Sequence, residues 1–404
     1  MNSALSIGLS VSFRRAVLDS PDAAPNWSPW SRNLILDCGL DMPASNYTFA
    51  QCVLSNIVVG TSTNPTRRDS GTVTATRSGA TVTATGAFFS AADVGRVLKF
   101  NSGELGRVAT YIDATQVTLA TSGTVAASAF TVWHTSDTGH GAEYATTSNY
   151  MTGAGESGTA FTDGTLTSWR TFLFSAFGET KVLREIGWRP TATGNLYGRA
   201  LIPGGGDAVA AGQYYKVQVS HSLVLSPLTP TAVGNVGTGL DTSGASLLEG
   251  IGLNVDGTVQ YPIGAFATVS PTGSLATGGA LEPSSGWNSG NGRHLRFGPC
   301  TNGAALGAGT AQLAPSGSAV FTNAANSNII AIRASYAAGS CSCTFTAFYN
   351  TTQALGEIKS FCVSSGASPW YSYFRHLLDS SFTKTNEQTL TCSITVTWGR
   401  VLEN

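Results

Sequence analysis

A short loop-rich stretch in the first half of the chain concentrates side chains that could do acid–base chemistry. Four carboxylates and four ring-bearing residues fall in or beside it: Asp137, Glu143, Glu156, Asp163, His134, His140, Tyr144 and Trp169. Glycoside hydrolysis needs two carboxylates roughly 5–9.5 Å apart, so one hypothesis is a pocket that binds or cleaves sugar. Surface loops collect polar residues for other reasons. We therefore favour solvated loop acids, and expect no enzymatic activity.

Two arginines occupy equivalent positions in two strand-like segments. Arg199 and Arg375 have aromatic neighbours, and each follows an acidic residue, Glu185 or Glu357, in the same order along the chain. A guanidinium in a strand can stack on a ring or bind a carboxylate. We predict a structural role in preference to contact with a ligand. Each arginine either stacks on a neighbouring ring or pairs with an acid, Arg199 with Glu185 and Arg375 with Glu357.

The cysteines and glycines point to no cofactor. The seven cysteines form no CxxC pair, and zinc spacings normally include CxxC or HxxxH elements. A zinc site would have to draw on these residues: Cys341, Cys343, Cys362, Cys392 and His376. Buried free thiols are the favoured interpretation. The glycine clusters at 153–158 and 204–206 lack the Lys-Ser/Thr of a phosphate loop, so we expect neither a metal nor a cofactor.

Tryptophans in loops are the candidate contact residues. Trp27 and Trp30 lie in a proline-containing segment, 25–30, that favours neither helix nor core strand. The segment is either an arm that docks on a neighbouring subunit, since Trp contributes strongly to interfaces, or packing over the protein's own core. Trp287, Trp370 and Tyr371 are candidate carbohydrate contacts at loop tips, with packing beneath their loops as the alternative.

These side chains have to be positioned by short strands. Apolar residues alternate with Ser or Gly from 5 to 13, and β-branched residues alternate over 72–76, 81–85 and 116–120. Residues 77–80 and Asp256-Gly257 predict hairpin turns, and residues 91–95 predict a tight turn or a single helical turn. Four segments between 136 and 225 predict strands of one antiparallel sheet layer.

The later half repeats the pattern of the earlier one. Segments beginning at Glu185, Tyr197 and Gly212 are matched, in the same order, by segments beginning at Glu357, Tyr373 and Glu387. We predict an all-β fold with two antiparallel β-sandwich-type domains and a small inserted β-domain. The first sandwich comprises 1–69 plus 136–225, including an N-terminal strand and arm. The insert is 70–135, a Gly/Pro-rich connector is 226–245, and the second sandwich is 246–404.

Composition limits the possible partners. Of 404 residues only 11% are charged, the net charge is −1, and 47 are glycine. Nucleic-acid binding requires a basic surface, and an apolar content of 42% argues against disorder. The sequence contains no apolar run of about 18 residues, the length at which a membrane span is predicted. At the N-terminus the basic pair follows the apolar stretch, whereas a secretory signal has basic residues first. A weakly charged surface suits burial against partners better than a free monomer.

Three stretches resemble known proteins. Residues 94–100 with 106–119 resemble small β-modules in virion proteins of tailed bacteriophages. Residues 382–396 resemble a closing strand common in phage tail and fibre proteins, with Cys392 and Ile394 in place of the usual valine and tyrosine. Residues 197–202 resemble another strand of the same proteins. The stretches cover about a third of the chain.

The resemblance implies a non-enzymatic structural component of a bacteriophage particle. We expect it to be made and assembled in the host bacterial cytoplasm and to lie in the virion, in the tail, as a baseplate or fibre protein. Its expected partners are copies of itself, as a trimer or hexamer, and other virion tail proteins. One alternative is a host-receptor or carbohydrate-binding tail protein that contacts a host surface glycan. Another is a head decoration or collar protein, and a depolymerase is the least favoured.

Overall fold

The computed structural model describes residues 2–45, 49–152, 154–162, 165–226, 238–239, 295–300, 330–333, 340–349, 351–352, 355–365 and 372–402. The prediction of an all-β fold is confirmed, because strands dominate these ranges and antiparallel pairing prevails. The strands are β1 (Asn2–Leu18), β2 (Ser31–Arg32), β3 (Leu34–Ile35), β4 (Asn56–Gly60), β5 (Arg67–Asp69), β6 (Ala75–Ala84), β7 (Val97–Phe100), β8 (Leu105–Asp113), β9 (Gln116–Ser128), β10 (Phe130–Trp133), β11 (Glu143–Thr147), β12 (Ser157–Thr162), β13 (Thr165–Phe174), β14 (Lys181–Leu183), β15 (Glu185–Arg189), β16 (Gly198–Leu201), β17 (Asp207–Val209), β18 (Tyr214–Ser226), β19 (Thr238–Gly239), β20 (Leu295–Cys300), β21 (Ile330–Arg333), β22 (Ser340–Tyr349), β23 (Gly356–Ser365), β24 (Ser372–Lys384) and β25 (Leu390–Arg400).

Helical structure is confined to short segments. α1 (Asp37–Ser45) and α2 (Phe49–Leu54) lie between β3 and β4, where the sequence indicated no helix. Single 3₁₀ turns occur at Ala91–Asp93 and Pro203–Gly205. The first of these confirms the turn predicted over 91–95. Within the described ranges, no helix combines the length and apolarity needed to cross a membrane.

The largest sheet is organised around β1. Its strand order is β12-β13-β18-β1-β25-β22-β21, with β2 also paired to β1. The predicted alternation in β1 is observed, because Leu9, Val11 and Phe13 are all buried. β1 pairs antiparallel with β18 and parallel with β25, so the beginning and the end of the chain share one sheet. The sequence did not indicate this pairing, and the proposed domain boundaries stay predictions.

A second sheet packs against this one. Its order is β11-β4-β15-β16-β3. The ring of Phe13 on β1 lies 5.9 Å from the ring of Trp188 on β15, and that of Tyr197 lies 6.1 Å from His221 on β18. The prediction of one layer from the four segments between 136 and 225 is wrong. β13 and β18 belong to the first sheet, and β15 and β16 to the second.

Residues 67–133 form a sheet with a core of its own. The strand order is β5-β10-β7-β8-β9-β6, and the core is built from apolar residues of these strands, including Val82, Leu98 and Phe130. The hairpin turn predicted at 77–80 is wrong, because β6 runs through it and pairs with β9 on both sides. Gly79 adopts a positive φ of 60° at a register shift. The glycine therefore bends a continuous strand without ending it.

The later part of the chain contributes a fourth sheet. Its order is β19-β24-β23-β20. The register of β23 and β24 places Glu357 opposite Thr383 and Arg375 opposite Cys362. Glu357 and Arg375 are therefore not cross-strand partners, contrary to the predicted pairing. The Glu357 carboxylate instead accepts a hydrogen bond of 2.7 Å from the Ser381 hydroxyl.

Candidate functional site

The described acids of the 134–169 stretch are held in ion pairs. Each described carboxylate binds a cation of its own: Asp137 binds Arg199 at 2.6 Å, Glu143 binds Arg189 at 2.7 Å, and Glu156 binds Lys216 at 2.7 Å. Hydrogen bonds from Arg189 hold the pKa of Glu143 below its usual value, which suits a permanent ion pair better than a proton donor. Asp163 lies outside the described residues. The ion pairs engage the described acids with cations of the fold itself.

Arg199 and Glu185 do form the predicted pair. β15 and β16 are antiparallel neighbours, with Gly187 opposite Arg199, so Glu185 lies diagonally across from Arg199 on the same face. Arg199 Nη1 donates to Glu185 Oε2 at 3.3 Å, and both side chains are buried. The Arg199 guanidinium also donates to Asp137 Oδ2 from Nε (3.1 Å) and Nη2 (2.6 Å). One arginine thus joins two carboxylates.

His140 completes this buried cluster. Its Nδ1 lies 3.0 Å from Glu185 Oε2, with both side chains inaccessible to solvent. Burial by itself raises the pKa of the Glu185 carboxyl. The contact with His140 and the backbone amides of Ala142 and Gly141 outweigh burial, so the pKa lies below its usual value. Glu185 therefore stays ionised in the interior, and we interpret the cluster as a structural anchor for the 137–142 loop.

The side chains of Glu185 and His140 pack directly against the backbone at two glycines, Gly60 and Gly187. A Cβ at Gly60 would lie 2.6 Å from Glu185 Oε1, and one at Gly187 would lie 2.9 Å from His140 Nε2. Real Cβ atoms essentially never come within 3.0 Å of such a neighbour. Gly60 is 125 positions from Glu185 and Gly187 is 47 positions from His140, so no local sequence signal could have located the cluster.

The 25–30 segment runs alongside β1, on the edge opposite β18. Ser28 N donates to Arg15 O at 2.9 Å, and Trp27 packs on a cluster that includes Leu18 and Leu173. Trp27 thus packs over the protein's own sheet, and docking of the segment on a neighbouring subunit stays a prediction. Trp30 is different, because its side chain is 47% exposed.

Arg14 fixes the two tryptophans relative to each other. Its guanidinium carbon lies 4.7 Å from the ring centroid of Trp27 and 5.0 Å from that of Trp30. Its Nε donates to Gln218 Oε1 at 2.8 Å, which ties the stack to β18. Cation–π contacts at this distance are worth about 0.5–1 kcal/mol each at a surface. The result is an ordered aromatic surface, which we call the Trp30 surface: Arg14, Trp27 and Trp30.

The candidate carbohydrate contacts cannot be placed. Trp287, Trp370 and Tyr371 lie outside the described residues, as does the hairpin predicted at Asp256-Gly257. Their assignment as sugar contacts stays a prediction.

The strands that carry Cys341, Cys343, Cys362 and Cys392 belong to two different sheets. Cys341 and Cys343 lie on β22, and Cys362 lies on β23 of a different sheet. Cys343 pairs with Val396, four residues along β25 from Cys392, a spacing of about 13 Å. Among the described side chains, no group of three or more could hold a metal ion. Burial raises the pKa of the Cys52 thiol well above its usual value, as expected for a small apolar side chain.

One cleft opens where the sheets meet. It has a volume of about 200 Å³ and is lined by β1, β2, β3 and β16, by the start of β5, by Trp133 and by Val401. Arg32 and Arg67 are its charged lining residues.

Comparisons of the chain with protein-family models, with curated proteins and with solved structures found no match. The functional assignment therefore depends on the residues and their geometry.

Proposed function

We propose that this protein is a structural component of a bacteriophage particle. It acts in the tail, as a baseplate or fibre component, by associating with copies of itself and with other virion proteins. The proposal draws on the strand patterns at 94–119, 197–202 and 382–396 that resemble virion proteins. The single observation that carries its mechanism is the exposed Trp30, held in a fixed orientation by Arg14.

The Trp30 surface has the properties of an interface anchor. Tryptophan and arginine are the residues most enriched among those that dominate binding energy. An anchor binds better when it is already ordered, since less side-chain entropy is lost on association. Here Arg14 stacks between the two rings and bonds to Gln218. The free protein thus presents Trp30 against the Arg14 guanidinium.

The distribution of charge supports burial of the remaining surface. Many of the few charged side chains are already used in internal ion pairs: Arg15 with Asp207, Arg77 with Glu104, Arg68 and Arg96 with Asp93, and Arg107 and Arg400 with Asp37. The charge left at the surface is lower still than the composition suggests. Low surface charge favours association over a soluble monomer.

Sedimentation velocity across a range of protein concentrations tests the proposal. We expect the wild-type chain to form a trimer or hexamer, and Trp30→Ala to raise the dissociation constant by about 30-fold or more, as for an interface anchor of at least about 2 kcal/mol. Tyr111→Ala is the matched control, because Tyr111 is an exposed ring on β8 of another sheet. We expect it to change the dissociation constant by less than about threefold.

Two results would count against the proposal. A wild-type chain that stays monomeric at high micromolar concentration would contradict self-association. If Trp30→Ala and Tyr111→Ala weakened assembly equally, the Trp30 surface would not be the contact. Circular dichroism of both variants establishes that the fold is retained.

A further inference from the structure

The largest sheet has an outer face that the chain itself covers at one end. Leu9, Val11 and Phe13 of β1 are buried, and the Phe13 ring contacts Trp188 of the second sheet. The residues between them therefore point to the outer face. At the C-terminal end of β1, the side chain of Trp27 packs on a cluster of this outer face. Towards the N-terminal end of β1, the outer face is accessible to a partner.

The middle of this outer face is made of small, uncharged residues. The register of β1, β18 and β13 places them opposite one another, and the Thr167 and Ser222 hydroxyls lie 3.2 Å apart. We call these half-buried residues the neutral strip: Gly8, Ser10, Ser12, Ser220, Ser222, Thr165 and Thr167. Arg14 and Arg32 lie at its Trp30 end. Another sheet can therefore approach the strip without burying a charge.

An apolar depression lies at the end of the neutral strip away from Trp30. Val224 is 38% exposed and Val401 is 52% exposed. Both border Gly8, because a Cβ built there would lie 3.8 Å from Val224 Cβ and 3.4 Å from Val401 Cγ2. Glycine fills none of this space, so the two valines flank an open apolar seat. We call it the Val224 seat: Gly8, Val224 and Val401. Adjacent exposed apolar side chains are typical of interaction sites.

The Trp30 surface and the Val224 seat lie at opposite ends of one sheet face. Arg14 and Gly8 are six residues apart on β1, which is about 20 Å at about 3.3 Å per residue. A two-fold axis through the neutral strip brings the Trp30 surface of each copy to the Val224 seat of the other, so the same contact forms twice. The Arg14 guanidinium groups of the two copies then lie at opposite ends of the interface and do not repel each other.

We propose that two copies of this chain pack face to face through the outer face of the largest sheet, with Trp30 of each copy on the Val224 seat of the other. The proposal rests on the proposed self-association through Trp30 and names the surface that Trp30 contacts. The indole brings a large apolar area to an apolar seat, and the small residues between let the sheets approach to about 10 Å. A hexamer can be built from three such pairs, whereas a ring of three contains no two-fold axis.

Sedimentation velocity of Val224→Ser tests the proposal. We expect the dissociation constant to rise about tenfold or more, because a reciprocal interface loses the apolar contact twice. Ile112→Ser is the matched control, since Ile112 is an exposed aliphatic residue on β8 of another sheet. We expect the control to change the dissociation constant by less than about threefold. Circular dichroism establishes that each variant is folded, and Val401→Ser provides the same test if Val224→Ser fails to fold.

A double-mutant cycle with Trp30→Ala establishes whether the two surfaces meet. Removal of the indole already removes what Val224 contacts, so the variant with both substitutions should associate within about threefold of Trp30→Ala alone. Effects that multiply would place the two residues in different contacts and overturn the proposal.

The outcomes separate this proposal from the proposed function. If Trp30→Ala weakens assembly and the folded valine variants do not, this proposal is overturned and self-association through another partner surface stands. A wild-type oligomer of three copies would overturn the reciprocal arrangement in the same way. A wild-type chain that stays monomeric would contradict the proposed function, and this proposal with it.

Discussion

Replacement of Arg199 by methionine tests how much the buried charge cluster contributes to stability. The substitution keeps an unbranched apolar side chain and removes the guanidinium. Glu185 then retains His140 and backbone amides but loses its arginine, and Asp137 loses two hydrogen bonds. Removing one partner of a buried ion pair costs about 3–5 kcal/mol. Because Asp137 is 27% exposed and water can solvate it, we expect a loss near the lower end, about 3 kcal/mol.

Native-state hydrogen exchange of the β15 and β16 amides measures this loss where it occurs. Exchange of these amides requires the strands to open. A local destabilisation of about 3 kcal/mol raises the exchange rate by more than about a hundredfold. Lys181→Met is the matched control, because Lys181 and Glu179 form an exposed pair with side chains 31% and 63% exposed. We expect the control to cost less than about 1 kcal/mol.

A double-mutant cycle with Glu185→Gln examines whether the two residues act as a pair. The double variant should lose less unfolding free energy than the two single variants lose in sum. In each single variant one charge of the pair remains without its partner, whereas the double variant removes both charges of the pair. Strict additivity would show that Arg199 and Glu185 do not act as a pair. A loss of unfolding free energy for Arg199→Met no greater than for Lys181→Met would show that the buried cluster adds little to stability.

Two further predictions concern a buried histidine and a tightly packed glycine. Burial lowers the pKa of His221 to about 3, so the folded state keeps it neutral while the unfolded state binds a proton below about pH 6.5. When the pH falls from 7 to 5, the free energy of unfolding measured in urea should therefore drop by about 2 kcal/mol more for the wild-type chain than for His221→Gln. Equal drops would contradict this prediction. In α1, a Cβ at Gly39 would overlap the backbone carbonyl of Tyr197, whereas Gly178 has open space around it. Thermal melting should show a loss of about 4 kcal/mol or more for Gly39→Ala and little change for Gly178→Ala; similar melting curves would contradict the packing argument.

Local patterns predicted the parts of the fold that local chemistry determines. The alternation in β1 is visible in the sequence because one face of the strand is buried. The Arg199–Glu185 pair could be predicted because the two residues lie on consecutive antiparallel strands. The prediction of a turn at 77–80 was wrong because a glycine with positive φ suits a bulge as well as a hairpin turn. The outcome depends on β9, which is long enough to pair with all of β6.

Features set by distant parts of the chain could not be predicted in the same way. The parallel pairing of β1 with β25 joins residues almost 400 positions apart, and no local pattern encodes the choice of partner. His140 and Asp137 reach Glu185 and Arg199 from a loop whose path is set by packing against β15 and β16. The cleft with Arg32 and Arg67 likewise forms only when three sheets meet. Each of these features depends on tertiary contacts that spacing alone cannot specify.

The proposed role of this chain is a structural part of a phage tail. Quantitative mass spectrometry of purified particles, separated into heads and tails, tests this role. We expect the chain in the tail fraction, with a copy number per particle that is a multiple of three. Its absence from the particles, or its presence in the head fraction alone, would rule out the proposed tail role.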